Sequence, residues 1–313
     1  MVVRLSRRWL FAWWCVSILA PPALADVESL GDGAYLYRAG EHRSLFLVDA
    51  AGVIVTDPIS ADVAADYRAA IRRITAAPIR YVVYSHYHWD RVSGAQIFAD
   101  EGAEVVAQER CAERFADNPN PAVVMPDVTF DDRHDVTVGN ATLELHYFGP
   151  SHGDCLTVFV AQPANVIQVV DLVNPPRAAF PRDPNVPYIR PHNLRQFFAS
   201  VQRLIDERGI EELAASAAFD IEIGDANGDA DSDAIGVTSP PLGPASIVAD
   251  QARFWNEVYA TVEIAIAQGY VGIDSFVRMH KIDQTPFEAF SGYSEADLRF
   301  VMRRISGWHD MGR

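Results

Sequence analysis

Two β-rich stretches, each followed by helices, predict an α/β chain built from two packed sheets with helices on the outside. Three observations carry this expectation. Residues 33–57 alternate apolar and polar positions between Gly and Asp-Pro turns. A second strand-rich block runs from Val128 to Val173, and apolar residues at helical spacing follow both blocks. No internal period signals a repeat.

The elements follow in order. "AYLYRAG", "SLFLVDAAG" and "VIVTDP" read as a β-meander. "SADVAADYRAAIRRIT" reads as a helix with Ser60 or Asp62 as its N-cap. "IRYVVYS" is a buried strand, followed by helix "SGAQIFADEG", strand "AEVVAQ" and helix "ERCAERFAD". The second block holds "DVTF", "ATLELHYFG", "LTVFVAQ" and "NVIQVVDLV". A proline-rich loop over 175–191 then leads into the helix "NLRQFFASVQRLIDERG". A weak strand in "IEELAASAAFDIEIGDA" precedes the acidic stretch "GDANGDADSD", and a helical tail spans about Ala245 to Trp308. The expected division is 26–245 as the main domain and 246–313 as a helical extension packed on it.

Residues 1–25 read as a signal peptide. Arg4, Arg7 and Arg8 precede a short apolar stretch, and Ala23 and Ala25 supply small residues at the end. Cleavage after Ala25 and a periplasmic or secreted location are expected, with no stable membrane insertion afterwards. The formal net charge is −16, and losing three arginines makes the remainder more acidic still. A chain whose single lysine is Lys281 is poorly suited to nucleic acid, which needs Lys and Arg to displace counterions. A small-molecule substrate is the expected partner. Cys111 and Cys155 remain after cleavage, and the sequence leaves open whether they pair or stay as buried thiols.

The chemistry concentrates in "SHYHWDRVSG", residues 85–94, just past the end of a strand. His86 and His88 are two apart, so in extended chain their imidazoles point the same way. Asp90 joins them if the loop stays extended. Imidazole suits zinc, and a catalytic zinc takes three protein ligands and leaves one position for water. His152, in the turn "FGPSHGD", is the candidate third ligand, ahead of His134 and His146. Asp171 ends an apolar strand, where a bare carboxylate needs a cation or donors.

This pattern resembles the metallo-β-lactamase superfamily over roughly residues 27–225. The opening meander, "APIRYVVYSHYHWDRVSGAQIF", "FGPSHGDCLTVFV" and "NVIQVVDLV" carry the resemblance. It implies an αββα sandwich of two mixed β-sheets flanked by helices, with a metal site at one edge. It also implies that His86, His88 and His152 hold a first zinc, with Asp90 and Asp171 serving a second metal. Arg91 stands where many members carry histidine, as in HxHxDH, although HxHxDR is similar to certain zinc β-lactamases. Those enzymes carry cysteine at the position of Asp171 and a substrate-binding lysine at that of Asn174. The family's last histidine ligand has no counterpart between Glu211 and Asp250, and Asp225 stands in its place. Asp90, Asp171 and Asp225 would form an oxygen-rich site suited to Mn, Mg or Ca as well as zinc. The alternatives are that this second site is empty and that 227–233 is a solvated acidic loop.

The resulting expectation is an exported zinc-dependent hydrolase of a small amide, lactam, lactone or ester, using a metal-activated water with Asp90 as its catalytic carboxylate. Asp57 is the candidate partner that orients a ligating histidine, and Arg91 ties the loop to a neighbouring carboxylate. Arg190 and His192 are candidate substrate contacts. The alternative is a catalytically degenerate relative that binds a ligand or an exported redox partner.

Overall fold

Alternation along the strands decides which layer each side chain enters. On the strand at His42–Asp49, Leu45 and Leu47 join one buried cluster and Phe46 joins another. Gly52–Thr56 divides in the same way, with Ile54 facing one side and Val53 and Val55 the other. A strand buried on both faces belongs inside a layered fold. The computed structural model describes residues 27–180, 190–218, 220–222, 236–269, 283–290 and 292–311. Residues 1–25, where a signal peptide is expected, Asp225 and the acidic stretch 227–233 lie outside the described residues.

The first sheet has seven strands in sequential order: β1 (Val27–Gly31), β2 (Ala34–Ala39), β3 (His42–Asp49), β4 (Gly52–Thr56), β5 (Ile79–Val83), β6 (Glu104–Gln108) and β7 (Val128–Phe130). Strands β1 to β4 pair antiparallel, and β4 to β7 run parallel. The parallel half needs crossovers, supplied by α1 (Ala61–Ile74), by the short α2 (Trp89–Val92) and α3 (Gln96–Ala99), and by α4 (Glu109–Asp117). Of the two candidate caps for α1, Ser60 does the work: its hydroxyl accepts from the Val63 amide at 3.3 Å. Ala64, Tyr67, Ala70 and Ile71 form the buried face of α1.

The second sheet comprises β8 (Arg133–Val138), β9 (Ala141–Tyr147), β10 (Thr157–Gln162), β11 (Val166–Gln168), β12 (Glu212–Ala214) and β15 (Leu242–Pro244), in the order β15-β12-β11-β10-β9-β8. Only β11 and β12 pair in parallel, across the helix α5 (Pro191–Arg208). A separate hairpin joins β13 (Asp220–Glu222) to β14 (Gly236–Thr238). Helices α6 (Ile247–Ala267), α7 (Thr285–Glu288) and α8 (Glu295–Met311) follow. Phe254, Trp255, Phe287, Leu298 and Met302 from these helices enter the same buried cluster as α5 and the second sheet. Two mixed sheets face each other with helices outside both, the αββα sandwich that the sequence predicts. Among the described residues, no helix is long and apolar enough to cross a membrane.

The two sheets are joined at one edge by backbone hydrogen bonds. The Thr157 amide donates to the Ser85 carbonyl at 2.8 Å, Arg43 to Ser216 at 2.9 Å, and Ala218 to Glu41 at 2.8 Å. Buried Arg43 reinforces the seam by donating to the carbonyls of Ala217 and Ser239 and to the Glu28 carboxylate. Cys111 on α4 forms a disulfide with Cys155, beyond the 149–153 turn. This settles the pairing that the sequence left open.

Two predictions follow from these constraints. Gly94 has φ +94°, and a Cβ there would lie 2.4 Å from the Ser60 carbonyl oxygen. Gly94→Ala is expected to destabilise the fold by about 2–4 kcal/mol, read from urea unfolding. The disulfide closes a separation of 44 residues, so the double variant Cys111→Ser, Cys155→Ser is expected to lose about 2–4 kcal/mol. Equal stability of native protein with and without reductant would contradict the second expectation.

Candidate metal centre

The seam collects strand ends from both sheets. Past β5 the chain bends at Ser85, His86 and Tyr87 before His88 takes an extended conformation, with ψ 133°, and the rings of His86 and His88 converge to a centroid separation of 4.4 Å. At Trp89 the chain turns into α2. That turn carries Asp90 away from the two histidines. Its side chain is 68% exposed and pairs with His42 at 3.6 Å, an ion-pair distance too long for a good hydrogen bond. The His42 imidazole beside it is the main influence holding the Asp90 carboxyl down to about 2.

His152 arrives from the turn between β9 and β10, where Gly153 leaves room for the Tyr87 ring; a Cβ there would lie 2.9 Å from it. The rings of His86, His88 and His152 form a near-equilateral triangle with centroids 4.4, 4.8 and 5.0 Å apart. Asp171 closes the fourth corner. One of its carboxylate oxygens lies 3.4 Å from His86 Nε2 and 3.5 Å from His152 Nε2, while His152 Nε2 is 3.2 Å from His88 Nδ1. All four residues offer ligand atoms within 4.8 Å of one another.

These spacings fit one metal ion. Ligands about 2.0–2.1 Å from a tetrahedral zinc are roughly 3.3 Å from each other, close to the shorter separations here. His86 supplies an independent test. Its Nδ1 meets the Ser85 hydroxyl at 2.9 Å, while its buried Nε2 has no hydrogen-bond partner. A buried polar atom without a partner is costly, and a coordinated cation removes the cost. Burial, then the neighbouring His152 and His88, push the His86 imidazole well below its ordinary pKa, which favours the neutral form that can act as a ligand. The cluster can therefore hold a metal ion.

Asp171 is fixed from several sides. Its backbone has φ +62°, and its amide donates to the Ser216 hydroxyl at 3.0 Å. The Asn174 side-chain oxygen accepts from the Ser216 hydroxyl and from the amides of Ser216 and Ala217. Arg91 pairs with the other Asp171 oxygen and donates to the Ser216 carbonyl at 3.0 Å. Burial pushes the Asp171 carboxyl up, but Arg91 and then His152 outweigh it and hold it below its ordinary value.

The other sequence candidates lie in different surroundings. Asp57 accepts from the Ser85 amide at 2.8 Å, so it braces the residue before His86. Arg190 caps α5 and His192 follows on its first turn; both are exposed and neither belongs to the four-residue cluster. His146 pairs with Glu144, and His134 stacks on Phe130. Sequence reasoning missed Ser216, His42 and Arg43. Ser216 sits in the featureless "AASAAF", so only the three-dimensional seam reveals it.

Asp57 generates a pH prediction. Burial pushes its carboxyl up to about 6 from an ordinary value of 3.8, against the pull of Arg91 and the hydrogen bonds from Ser85. Folding thus favours the protonated form. That contribution is full below about pH 3.8 and lost as pH rises through about 6. Metal-free Asp57→Asn is expected to exceed the native protein in stability at pH 7, by on the order of 3 kcal/mol. The difference should shrink below pH 4, as urea melts across this range would show; parallel curves would exclude Asp57 as the titrating group.

Comparison with known proteins agrees with this architecture. The family described as "Metallo-beta-lactamase superfamily" matches residues 35–206. A metallo-beta-lactamase from Pontibacter korlensis is similar in structure, with TM-score 0.58 and 16% identity, over 74% of this chain and 98% of that one. A structure of the sec-alkyl sulfatase PisA1 gives TM-score 0.62 and 14% identity, over 92% of this chain and 50% of that one. At such identities the likeness concerns the fold. In sequence, the chain is 26% identical over 163 residues to a 2,4-dinitroanisole O-demethylase subunit alpha from Nocardioides sp. (strain JS1661). That match covers 51% of this chain and 48% of the relative, so the chain spans about half the length of the curated relative it matches. The family match over more than half of the chain, together with the shared sandwich, establishes that this chain belongs to the metallo-β-lactamase superfamily.

Proposed function

We propose that the protein is an exported, zinc-dependent hydrolase acting on a small molecule with an amide, lactam, lactone or ester bond. The observation that carries this reading is the cluster of His86, His88, His152 and Asp171, with a buried imidazole nitrogen that makes no hydrogen bond and faces the Asp171 carboxylate. Three imidazoles match the donor preference of zinc and would leave a fourth position open to water, with the Asp171 carboxylate beside it. When bound, zinc would supply Lewis acidity toward the scissile group and acidify a water.

The surrounding residues have separable tasks. Ser85 orients His86 through its Nδ1 side, and Asp57 holds the Ser85 backbone in turn. Asp90 faces His42 outside the four-residue cluster, so it could orient a water at the metal only by turning toward the histidines. A carboxyl held down to about 2 is a weak base, so orientation suits it better than lasting acceptance of the proton. The acidic chain favours a small-molecule partner over nucleic acid. The basic, apolar and small-residue order of residues 1–25 supports export, as does the Cys111–Cys155 disulfide.

The test combines metal analysis with a broad substrate panel. Lactams, lactones and carboxylic esters come first. The names of the relatives add 2,4-dinitroanisole and a secondary alkyl sulfate. One class is expected to turn over, to lose activity with chelator and regain it with zinc, and to fall at least ~100-fold in His88→Ala. No turnover by zinc-loaded protein, or a rate unchanged in His88→Ala, would instead favour the ligand-binding reading. Mass analysis of the periplasmic protein is expected to find a chain beginning at Asp26.

A further inference from the structure

Asp171 offers one oxygen to the histidine cluster, while its other oxygen already meets a cation of the chain. Resting on the metal-centre reading above, we propose that the Arg91 guanidinium takes the place of a second metal ion beside Asp171, so that the centre holds a single metal.

The geometry separates the two oxygens of Asp171. Oδ2 lies 3.4 Å from His86 Nε2 and 3.5 Å from His152 Nε2, and Oδ1 accepts from Arg91 Nη2. A second ion bridging through both oxygens of Asp171 would need Oδ1, the atom that Arg91 holds. Arg91 is not free to swing away. It is 3% exposed, its Nη1 donates to the Ser216 carbonyl at 3.0 Å, and its own carbonyl accepts from the Ile59 amide at 2.7 Å. Its backbone amide donates to the His88 carbonyl at 3.0 Å, which ties it to the ligand loop.

Among the described residues, the carboxylate expected to help recruit a second ion is turned elsewhere: Asp90 faces His42, and α2 carries it out of the four-residue cluster. A divalent ion placed at Oδ1 would therefore displace an ion pair and meet a fixed positive charge with little water to screen it. Arg91 instead neutralises part of the charge of Asp171 and leaves Oδ2 directed at the histidines. It is a positioning residue that sets metal number, and its effect is readable without any substrate.

The experiment counts metals. Native protein, Arg91→Ala and Arg91→Lys are stripped with chelator, dialysed against excess Co(II) or Zn(II), and measured by native mass spectrometry and elemental analysis. The Co(II) absorption spectrum reports the environment of the metal. Native protein and Arg91→Lys, which keeps a positive charge, are expected to hold one equivalent. Arg91→Ala is expected to take a second, weaker equivalent and to add a second set of Co(II) bands. Two equivalents in the native protein would overturn the substitution while leaving the metal centre itself intact. A folded Arg91→Ala with one equivalent and an unchanged spectrum would overturn it as well. Should Arg91→Ala fail to fold, two equivalents in Arg91→Lys would still count against the proposal, and one would support it. No metal in the native protein would defeat the underlying metal-centre reading along with it.

Discussion

The candidate centre depends on the seam where two sheets meet. The Thr157 amide bonds to the Ser85 carbonyl, and each residue sits close in sequence to a histidine of the cluster. His86 and His88 come from the first sheet, His152 and Asp171 from the second. Side chains on separate layers keep a spacing of a few ångströms only if the layers cannot slide. The Ser85–Thr157 and Arg43–Ser216 bonds prevent that sliding at the edge where the ligands emerge. Close packing between the inner faces, with Leu45, Leu47 and Ile54 opposite Leu143 and Val158, resists movement elsewhere.

Unusual backbone conformations gather at the same edge. Asp57, Ile59 and Asp171 all have positive φ, of 38°, 74° and 62°. For a β-branched residue such as Ile59 this conformation is unfavourable, and the surroundings must compensate. Here the Ile59 amide donates to the Arg91 carbonyl at 2.7 Å, and Ile59 pairs with Val92 in an isolated bridge. Strain in the loop after β4 is thus tied to the histidine loop after β5. The conformations belong to the same construction as the ligand cluster.

Much of this was legible in the sequence, for physical reasons that also explain where reading stopped. Strand alternation and punctuation revealed the two sheets, because those patterns reflect burial directly. The spacing of His86 and His88 located half of the cluster, although the chain bends between them rather than running on as a strand. The same rule extended Asp90 into the cluster, but the chain becomes helical at Trp89 and carries it toward His42. His152 and Asp171 needed the resemblance to a known family as well as chemistry. Ser216, Asn174 and Arg43 hold the seam through long-range contacts, and no local pattern encodes those contacts. The pairing of Cys111 with Cys155 was hidden for the same reason, because it joins a helix of one layer to a loop of the other.

That disulfide couples two ordering events. Cys155 lies three residues beyond His152, so oxidation confines the same turn that a metal would confine from the other side. Either event bears part of the conformational entropy that the other would otherwise have to overcome. The turn that presents His152 is thus held by a covalent bond three residues further along the chain, although neither sulfur belongs to the four-residue cluster.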